Sequence, residues 1–202
     1  MDMYIAEMLE KERHDHKTVL SVDNLISVIN DLFVAGTETT ATTLRWGLLY
    51  MVLNPDIQER VQREIDGVVG RNRLPGMSHR PELPYTEAVL LELQRISNIV
   101  PLGVPHKASE DTVFMGYNIP KDSFIIANHW ALNYDPELFP EPKKFSPERF
   151  LNTAGEAVKP EEFIPFSTGK YRRIYSYFIH SHQIVYEITI NHFILLSSMT
   201  KV

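Results

Sequence analysis

The stretch AGTETT at residues 35–40 lies at the centre of a long apolar pattern that runs from Asp23 to Leu53. Large apolar residues recur there at helical spacing until Asn54 and Pro55 end the pattern. A helix of this length measures roughly 46 Å, so it crosses a whole domain. Glycine and threonine are poor helix formers, and threonine hydroxyls bond the carbonyl oxygen one turn back. The sequence therefore predicts a long helix with a weakened, kinked and polar centre.

Three further helices are predicted from capping residues and apolar spacing. One covers residues 3–13 and precedes the long helix, which Ser21 or Asp23 is expected to cap. Asn54 is expected to cap the next helix, whose first residue is a proline and therefore has no N–H group to satisfy. Residues 85–97 form the last of the three, again with apolar residues three and four apart.

The spacing changes from helical to strand-like in the second half of the chain. Residues 112–115 and 123–127 flank a turn at residues 120–122 and are expected to pair as a β-hairpin. A short helix is predicted over residues 128–134, and the proline-rich residues 135–166 are expected to form an irregular, packed meander. The predicted fold class is mainly α with a small β element.

Charge and composition exclude several classes of protein. The chain has 20 Lys and Arg residues against 26 Asp and Glu, a formal net charge of −6. Nucleic-acid binding is therefore not expected, because proteins that bind phosphate backbones carry a surplus of basic residues. The chain has no cysteine, which excludes disulfides, zinc–thiolate sites, iron–sulfur clusters and cysteine nucleophiles.

The last 32 residues, 171–202, differ in composition from the rest of the chain. They contain no Gly, Pro, Ala or Asp, yet they hold six Ile, four Tyr and three His. Because turn residues divide a chain into packable elements, their absence predicts that this tail lies outside a fold that ends near Lys170. The alternative is a C-terminal strand pair, in which Tyr186, Ile188 and Ile190 alternate with polar residues.

Two small groups of residues carry chemistry. Glu38 and Thr39 place a carboxylate and a hydroxyl beside Gly36, where a flat ligand can approach the helix backbone, and such a pair suits proton delivery. Glu92 and Arg95 are three residues apart on a helix and can form an ion pair. Taken singly, each pattern is more often a packing feature or a solvated surface pair.

The order of the motifs is more specific than any one of them. Five motifs follow one another along the chain: AGTETT (35–40), ELQR (92–95), VPHK (104–107), FPEPKKFSPERF (139–150) and FIPFSTGK (163–170). In this order they resemble the C-terminal half of a cytochrome P-450 of the animal microsomal family 2. The resemblance covers residues 1–170 and implies that fold, truncated at both ends, with residues 171–202 as a tail foreign to the family.

The resemblance implies a haem b enzyme in which the long helix lies over the distal face of the haem. Glu38 and Thr39 then match the acid–alcohol pair that delivers protons to iron-bound dioxygen, and Ala35 and Gly36 line the oxygen pocket. His106 matches a residue that hydrogen-bonds a haem propionate in this family.

The resemblance also implies structural roles nearer the end of the chain. Glu92, Arg95 and Arg149 match the triad that locks the ELQR helix onto the meander. Phe166 and Gly169 match the start of the loop that binds the haem.

The decisive departure from the family comes after that loop begins. The family pattern continues from Gly169 with one residue, an Arg, one residue and the axial Cys, but this chain has Tyr171 and Arg173 at those two places. A cysteine thiolate donates the electron density that favours O–O cleavage, and a guanidinium cannot ligate iron. We therefore predict that this chain is inactive and that its sequence leaves the family after Lys170. A milder departure is Asp122, which stands where relatives often have glycine.

Enzymes of the family insert one oxygen atom of O2 into a small lipophilic substrate and take electrons from NADPH–cytochrome P-450 reductase at the endoplasmic reticulum membrane. The resemblance implies this ancestry, and no N-terminal membrane anchor is expected in this chain. One alternative is a non-catalytic haem- or partner-binding fragment. In another, the tail anchors a membrane from Ile174 to Thr200. In the haem-binding alternative, the tail residues that could serve as axial haem ligands are Tyr175, His180, His182 and His192.

Overall fold

The computed structural model describes residues 2–14, 20–73 and 75–165 of the chain. Within these ranges the α-helices are α1 (Asp2–His14), α2 (Val22–Leu53), α3 (Pro55–Val68), α4 (Pro84–Ser97) and α5 (His129–Asn133). The strands are β1 (His106–Lys107), β2 (Thr112–Phe114), β3 (Tyr117–Ile119) and β4 (Phe124–Ile125), and two 3-10 helices cover Met77–Glu82 and Pro147–Phe150. The predicted fold class, mainly α with a small β element, is confirmed.

The chain divides into two compact units, Met1–Ala41 and Thr42–Val202, and the boundary between them falls inside α2. In the first unit, the Tyr4 hydroxyl donates a hydrogen bond to the Ser21 carbonyl oxygen at 3.3 Å. Ser21 also caps α2, because its Oγ accepts a hydrogen bond from the Asn24 amide at 3.1 Å.

The AGTETT segment does not interrupt α2, which continues without a break from one end to the other. The Thr39 hydroxyl donates to the Ala35 carbonyl oxygen at 2.5 Å, the back-bond expected at this position. Nearby, α2 exposes large apolar side chains, including Phe33 at 73% and Val34 at 72% of full exposure. Within the described ranges, no helix is long and apolar enough to cross a membrane.

The core of the second unit forms around α3 and α4. Ile57, Val61 and Ile65 make a buried stripe on α3, as their spacing predicts, and they share one cluster with Leu93 of α4. The end of α2 packs closely against α4 at Gly47, where a Cβ atom would lie 3.2 Å from Leu93 Cδ2. Glycine therefore lets the two helices approach at this point.

α4 is enclosed on nearly all sides, since ten of its 14 residues are buried. Two of the buried residues, Glu92 and Arg95, are charged. The helix ends at Asn98, whose φ of 41° is the left-handed conformation that asparagine tolerates better than most residues. Because buried charges require partners, only a segment that offers partners to Glu92 and Arg95 can pack against that side of α4.

The predicted cap at the start of α3 was wrong. The Asn54 side chain makes no capping hydrogen bond to α3, and its Nδ2 atom instead donates to the Tyr50 carbonyl oxygen at 2.8 Å. Asn54 thus satisfies a free carbonyl at the end of α2 rather than a free amide at the start of α3. Pro55 begins α3 and has no N–H group, so that helix loses little without the cap.

The predicted pairing of the β-hairpin was also wrong. β2 pairs with β3, not with the later strand, in antiparallel register with Thr112 opposite Ile119 and Phe114 opposite Tyr117. β4 pairs instead with β1. The true hairpin turn is Met115-Gly116, where both residues have positive φ (49° and 85°), as a type I′ turn requires.

The segment at residues 120–122, predicted as the hairpin turn, connects β3 to β4. Asp122 has a φ of 69° there, a conformation that favours glycine. This φ value explains why proteins of the resembled family often have glycine where this chain has Asp122. Asp122 is held in place by a 2.9 Å ion pair with Lys107 and by its amide, which donates to the Ala108 carbonyl oxygen.

The meander is irregular and packed, as predicted from its prolines. Four of its aromatic residues are buried: Phe139, Phe145, Phe150 and Phe163. The rings of Phe150 and Phe163 meet edge to face with centroids 5.0 Å apart, and Phe145 stacks on Tyr50 of α2 at 4.6 Å. Packing between aromatic rings, rather than regular backbone hydrogen bonding, therefore holds this segment in place.

Candidate functional site

A fully buried ion pair lies at the centre of the second unit. Arg95 donates from Nε to Glu92 Oε2 at 2.8 Å and from Nη2 to Glu92 Oε1 at 2.9 Å. Neither side chain has any exposed surface. The pair was predicted from a spacing that is usually found on solvated surfaces, and here the two parallel hydrogen bonds give it the geometry of a strong, directional contact.

The remaining N–H groups of Arg95 bind the last residue of α5 and the meander that follows it. Nη1 donates to the Asn133 carbonyl oxygen at 2.7 Å, and Nη2 donates to the Pro142 carbonyl oxygen at 2.9 Å. The Phe139 ring lies 5.3 Å from the guanidinium carbon. One side chain thus joins α4 to two separate points of the later chain, which the planar fork of arginine allows and lysine would not.

Glu92 also has partners outside α4. Its Oε1 accepts a hydrogen bond from the Ser146 amide at 2.9 Å. Arg149 Nε lies 3.1 Å from Glu92 Oε2, but it makes no hydrogen bond, so this contact is ionic. Arg149 is oriented by its other nitrogens, which donate to the carbonyl oxygens of Pro140 at 3.1 Å and Lys144 at 3.3 Å.

These contacts bring Glu92, Arg95 and Arg149 together, with one carboxylate between two guanidinium groups. Removing charges from water carries a large penalty, which is offset only when every charge is paired and hydrogen-bonded. The oxygens of Glu92 are taken up by protein partners. The arrangement can therefore hold α4 against the meander, but it presents no open position to a ligand.

Ala35, Gly36, Glu38 and Thr39 lie together on α2 in the first unit. Ala35 and Glu38 are exposed, whereas Gly36 and Thr39 are partly buried. Among the residues that the structure describes, none has an atom within 4 Å of the point where a Cβ of Gly36 would stand, so the helix backbone is open there within this part of the chain. Chemically, this turn offers a carboxylate and a hydroxyl next to open helix backbone.

His106 lies in β1, opposite Ile125 of β4, and is partly buried. The other predicted haem-loop residues, Phe166 and Gly169, lie outside the described residues, as does Arg173. The boundary near Lys170 and both alternatives for the tail fall outside them as well. Among the residues that the structure describes, no group of three or more His, Asp or Glu side chains is placed to hold a metal ion.

A second polar contact, which was not predicted from the sequence, joins α3 to the start of α4. Glu64 accepts hydrogen bonds from the Tyr85 amide at 2.9 Å and the Thr86 amide at 2.7 Å. Arg60 lies over the Tyr85 ring, 3.6 Å from its centroid. Burial, together with the nearby Glu148 carboxylate, raises the pKa of Tyr85 to about 12. The available signal was Leu83, because a helix that starts after an apolar residue needs a cap from elsewhere.

Comparison with known proteins places these motifs in one family. The sequence model of the cytochrome P-450 family matches residues 1–172. Cytochrome P-450 2U1 of Homo sapiens is 45% identical over 170 residues, which make up 84% of this chain and 31% of that protein. Cytochrome P-450 2B9 of Mus musculus and cytochrome P-450 2C8 of Homo sapiens are 46% and 45% identical over 170 residues, 84% of this chain and 34% of each relative. The chain spans about a third of the length of the curated relatives it matches.

Proposed function

Because the chain belongs to the cytochrome P-450 family, we propose that it descends from a haem-dependent monooxygenase that inserts one oxygen atom of O2 into a lipophilic organic substrate. The ancestral enzyme took electrons from NADPH–cytochrome P-450 reductase at the endoplasmic reticulum membrane. The identity of about 45% over the motif-bearing 170 residues supports this descent.

In that ancestral enzyme, the open turn of α2 would be the distal site. Glu38 and Thr39 would relay a proton, and Ala35 and Gly36 would leave room for oxygen. His106 would hydrogen-bond a haem propionate. The open backbone beside Gly36 and the position of Thr39 on the same turn of α2 support the assignments on that helix.

The residues of this chain do not fit a thiolate-bound haem. The chain has no cysteine, and Arg173 stands where the family has its axial ligand. The iron of these enzymes needs an anionic sulfur beneath it, whereas a guanidinium is cationic and offers no lone pair to the metal. We therefore assign this chain no monooxygenase activity of its own, and this single observation carries that assignment.

The test is the spectrum of the reduced, CO-bound protein after expression with haem. We expect no Soret band of the thiolate-ligated type from the wild-type chain. The double variant Tyr171→Arg/Arg173→Cys restores the family pattern, and Tyr171→Arg/Arg172→Cys places the sulfur one residue out of register as its matched control. A thiolate-type band from the wild-type chain would overturn the assignment.

A second candidate function is a non-catalytic haem- or partner-binding protein. Tyr175, His180, His182 and His192 of the tail favour its haem-binding form, because tyrosine and histidine serve as axial ligands in other haem proteins. Haem titration of the wild-type chain and of the triple variant His180→Ala/His182→Ala/His192→Ala tests the haem-binding form. Unchanged affinity in the triple variant would exclude the tail histidines as axial ligands.

A further inference from the structure

The start of α4 lacks the groups that normally complete a helix. Its N-cap residue is Leu83, which has no side-chain acceptor, and Pro84 has no N–H group. The first backbone amide with a main-chain partner is that of Glu87, which donates to the Leu83 carbonyl oxygen at 2.9 Å. The amides of Tyr85 and Thr86 therefore need acceptors from another part of the chain.

Glu64 of α3 supplies both acceptors with one carboxylate. Its Oε1 accepts from the Tyr85 amide at 2.9 Å, and its Oε2 accepts from the Thr86 amide at 2.7 Å. The Thr86 hydroxyl adds a third hydrogen bond to Oε2 at 2.6 Å. Thr86 is fully buried and Tyr85 is 5% exposed, so water is largely excluded from this contact. A negative charge at a helix N-terminus is also favoured by the helix dipole.

The same face of α3 also contacts the meander. Arg60 lies one turn before Glu64, and its Nη1 donates to Glu148 Oε1 at 3.2 Å. The residue after Glu148 is Arg149, which faces Glu92 of α4. Three charged contacts therefore form a closed triangle: α3 binds α4, α4 binds the meander, and the meander binds α3.

We propose that Glu64 is a positioning residue, which sets α4 so that the Glu92–Arg95 pair meets the meander. The two carboxylate oxygens of Glu64 bind two consecutive amides of α4. They therefore fix both the rotation of α4 about its axis and its position along that axis. Glu92 lies roughly 9 Å further along the same helix, so a rotation at Thr86 displaces it. Since Glu92 is fully buried, its carboxylate can contact both the Ser146 amide and Arg149 in only one orientation of α4.

The test uses the full 202-residue chain, labelled with nitrogen-15, without haem. Glu64→Gln keeps the shape but replaces one acceptor oxygen with an NH2 group, which cannot accept from an amide. We expect hydrogen exchange to speed up at least about tenfold at whichever of the Tyr85 and Thr86 amides then faces the NH2 group. The NMR resonance of the Arg95 Nε–H group, which reports on its bond to Glu92, is expected to shift with it.

Glu59→Gln is the matched control, because Glu59 lies on the same helix with its side chain 72% exposed. It should leave both readouts unchanged. Faster exchange at the Tyr85 or Thr86 amide with an unmoved Arg95 resonance would overturn the proposal, because Glu64 would then be a local cap only. Unchanged exchange would also overturn it.

If Glu64→Gln does not fold, Thr86→Val decides the question. This variant removes only the hydroxyl bond to Glu64 and keeps the shape of the side chain. We expect a smaller shift of the Arg95 resonance in this variant, and an unmoved resonance would refute the positioning role. No haem is involved, so neither result depends on the proposed function.

Discussion

Arg95 shows how much one side chain can hold together. Its guanidinium makes hydrogen bonds to Glu92, Asn133 and Pro142 with no exposed surface. We expect Arg95→Ala to lower the free energy of unfolding by about 3–5 kcal/mol, because it leaves the Glu92 charge buried with one partner fewer. Urea denaturation measures this change.

The control for that prediction is Arg63→Ala. The Arg63 side chain is 71% exposed and lies 3.8 Å from Glu59, so its removal should change stability by less than about 0.5 kcal/mol. Arg95→Lys should be nearly as damaging as Arg95→Ala, because an ammonium group cannot reproduce the planar fork. An Arg95→Ala variant as stable as the control would contradict this view of the network.

Gly103 allows a second comparison between matched residues. Its φ is 61°, and a Cβ atom would lie 3.0 Å from His129 Cε1. Gly155 also has a positive φ, 81°, but within the described part of the chain no atom lies within 4 Å of the position its Cβ would take. Both Gly→Ala variants should lose about 1–2 kcal/mol through the backbone, and Gly103→Ala should lose about 1–3 kcal/mol more through overpacking. Equal losses in thermal denaturation would show that His129 yields freely.

The buried histidine predicts how stability depends on pH. Burial lowers the pKa of His129, so in the window below the ordinary value of about 6.5 the unfolded chain binds a proton that the folded chain does not. The free energy of unfolding should therefore fall as the pH drops from about 6.5 toward the folded-state pKa, and it should be flat above that window for this group. Urea midpoints measured across the range should lose this slope in His129→Leu, and a slope of unchanged size would contradict the prediction.

At the level of elements, the β-hairpin offers a direct test of the observed pairing. Met115 takes a φ of 49°, a left-handed conformation that methionine adopts poorly and asparagine tolerates. Met115→Asn creates the Asn-Gly pair that type I′ turns prefer, so it should stabilise the β2–β3 hairpin by about 1 kcal/mol. Nuclear Overhauser contacts between Thr112 and Ile119 should then persist to higher urea concentration. No gain in stability would contradict a type I′ turn at Met115-Gly116.

The helices were predictable because their signals are local. Apolar residues at helical spacing predicted α4 over residues 85–97, within one residue of its observed bounds, and a proline begins both α3 and α4. Strand pairing is not local in this sense, because a pair is defined by two segments and the loop between them. Pro120 was a stronger turn signal than Met115-Gly116, although Met115 and Gly116 form the turn of the hairpin.

The sequence indicated that Glu92 and Arg95 could pair, but not which later residues would form hydrogen bonds with them. The sequence placed Glu92 and Arg95 on one face of a helix, and the burial that makes their pair strong arises only when the meander packs on them. The role of Glu64 was invisible for the same reason. A glutamate on an amphipathic helix usually faces water. No neighbouring residue indicates that the Glu64 carboxylate accepts hydrogen bonds from two backbone amides, the first of them 21 residues away.

Considered as a whole, the molecule exposes many large apolar side chains. Phe33 is 73% exposed, Met115 82% and Phe124 77%. Patches of this kind promote association, so we expect the chain to bind an apolar fluorescent dye and to self-associate as its concentration rises. Analytical ultracentrifugation should show weaker association for Phe33→Gln than for Arg63→Gln as the control. A monodisperse monomer that binds no dye would contradict this expectation.

The buried network also has a consequence for how the protein is made. The partners of Arg95 and Glu92 follow them by 38, 47 and 54 residues. Because a ribosome releases the chain from its N-terminus, α4 emerges before any of those partners does. Two charges destined for the interior then stay hydrated, and the nascent chain cannot close around them until Arg149 has left the exit tunnel. Translation speed over this segment, and the chaperones that meet it, therefore bear on the yield of native protein.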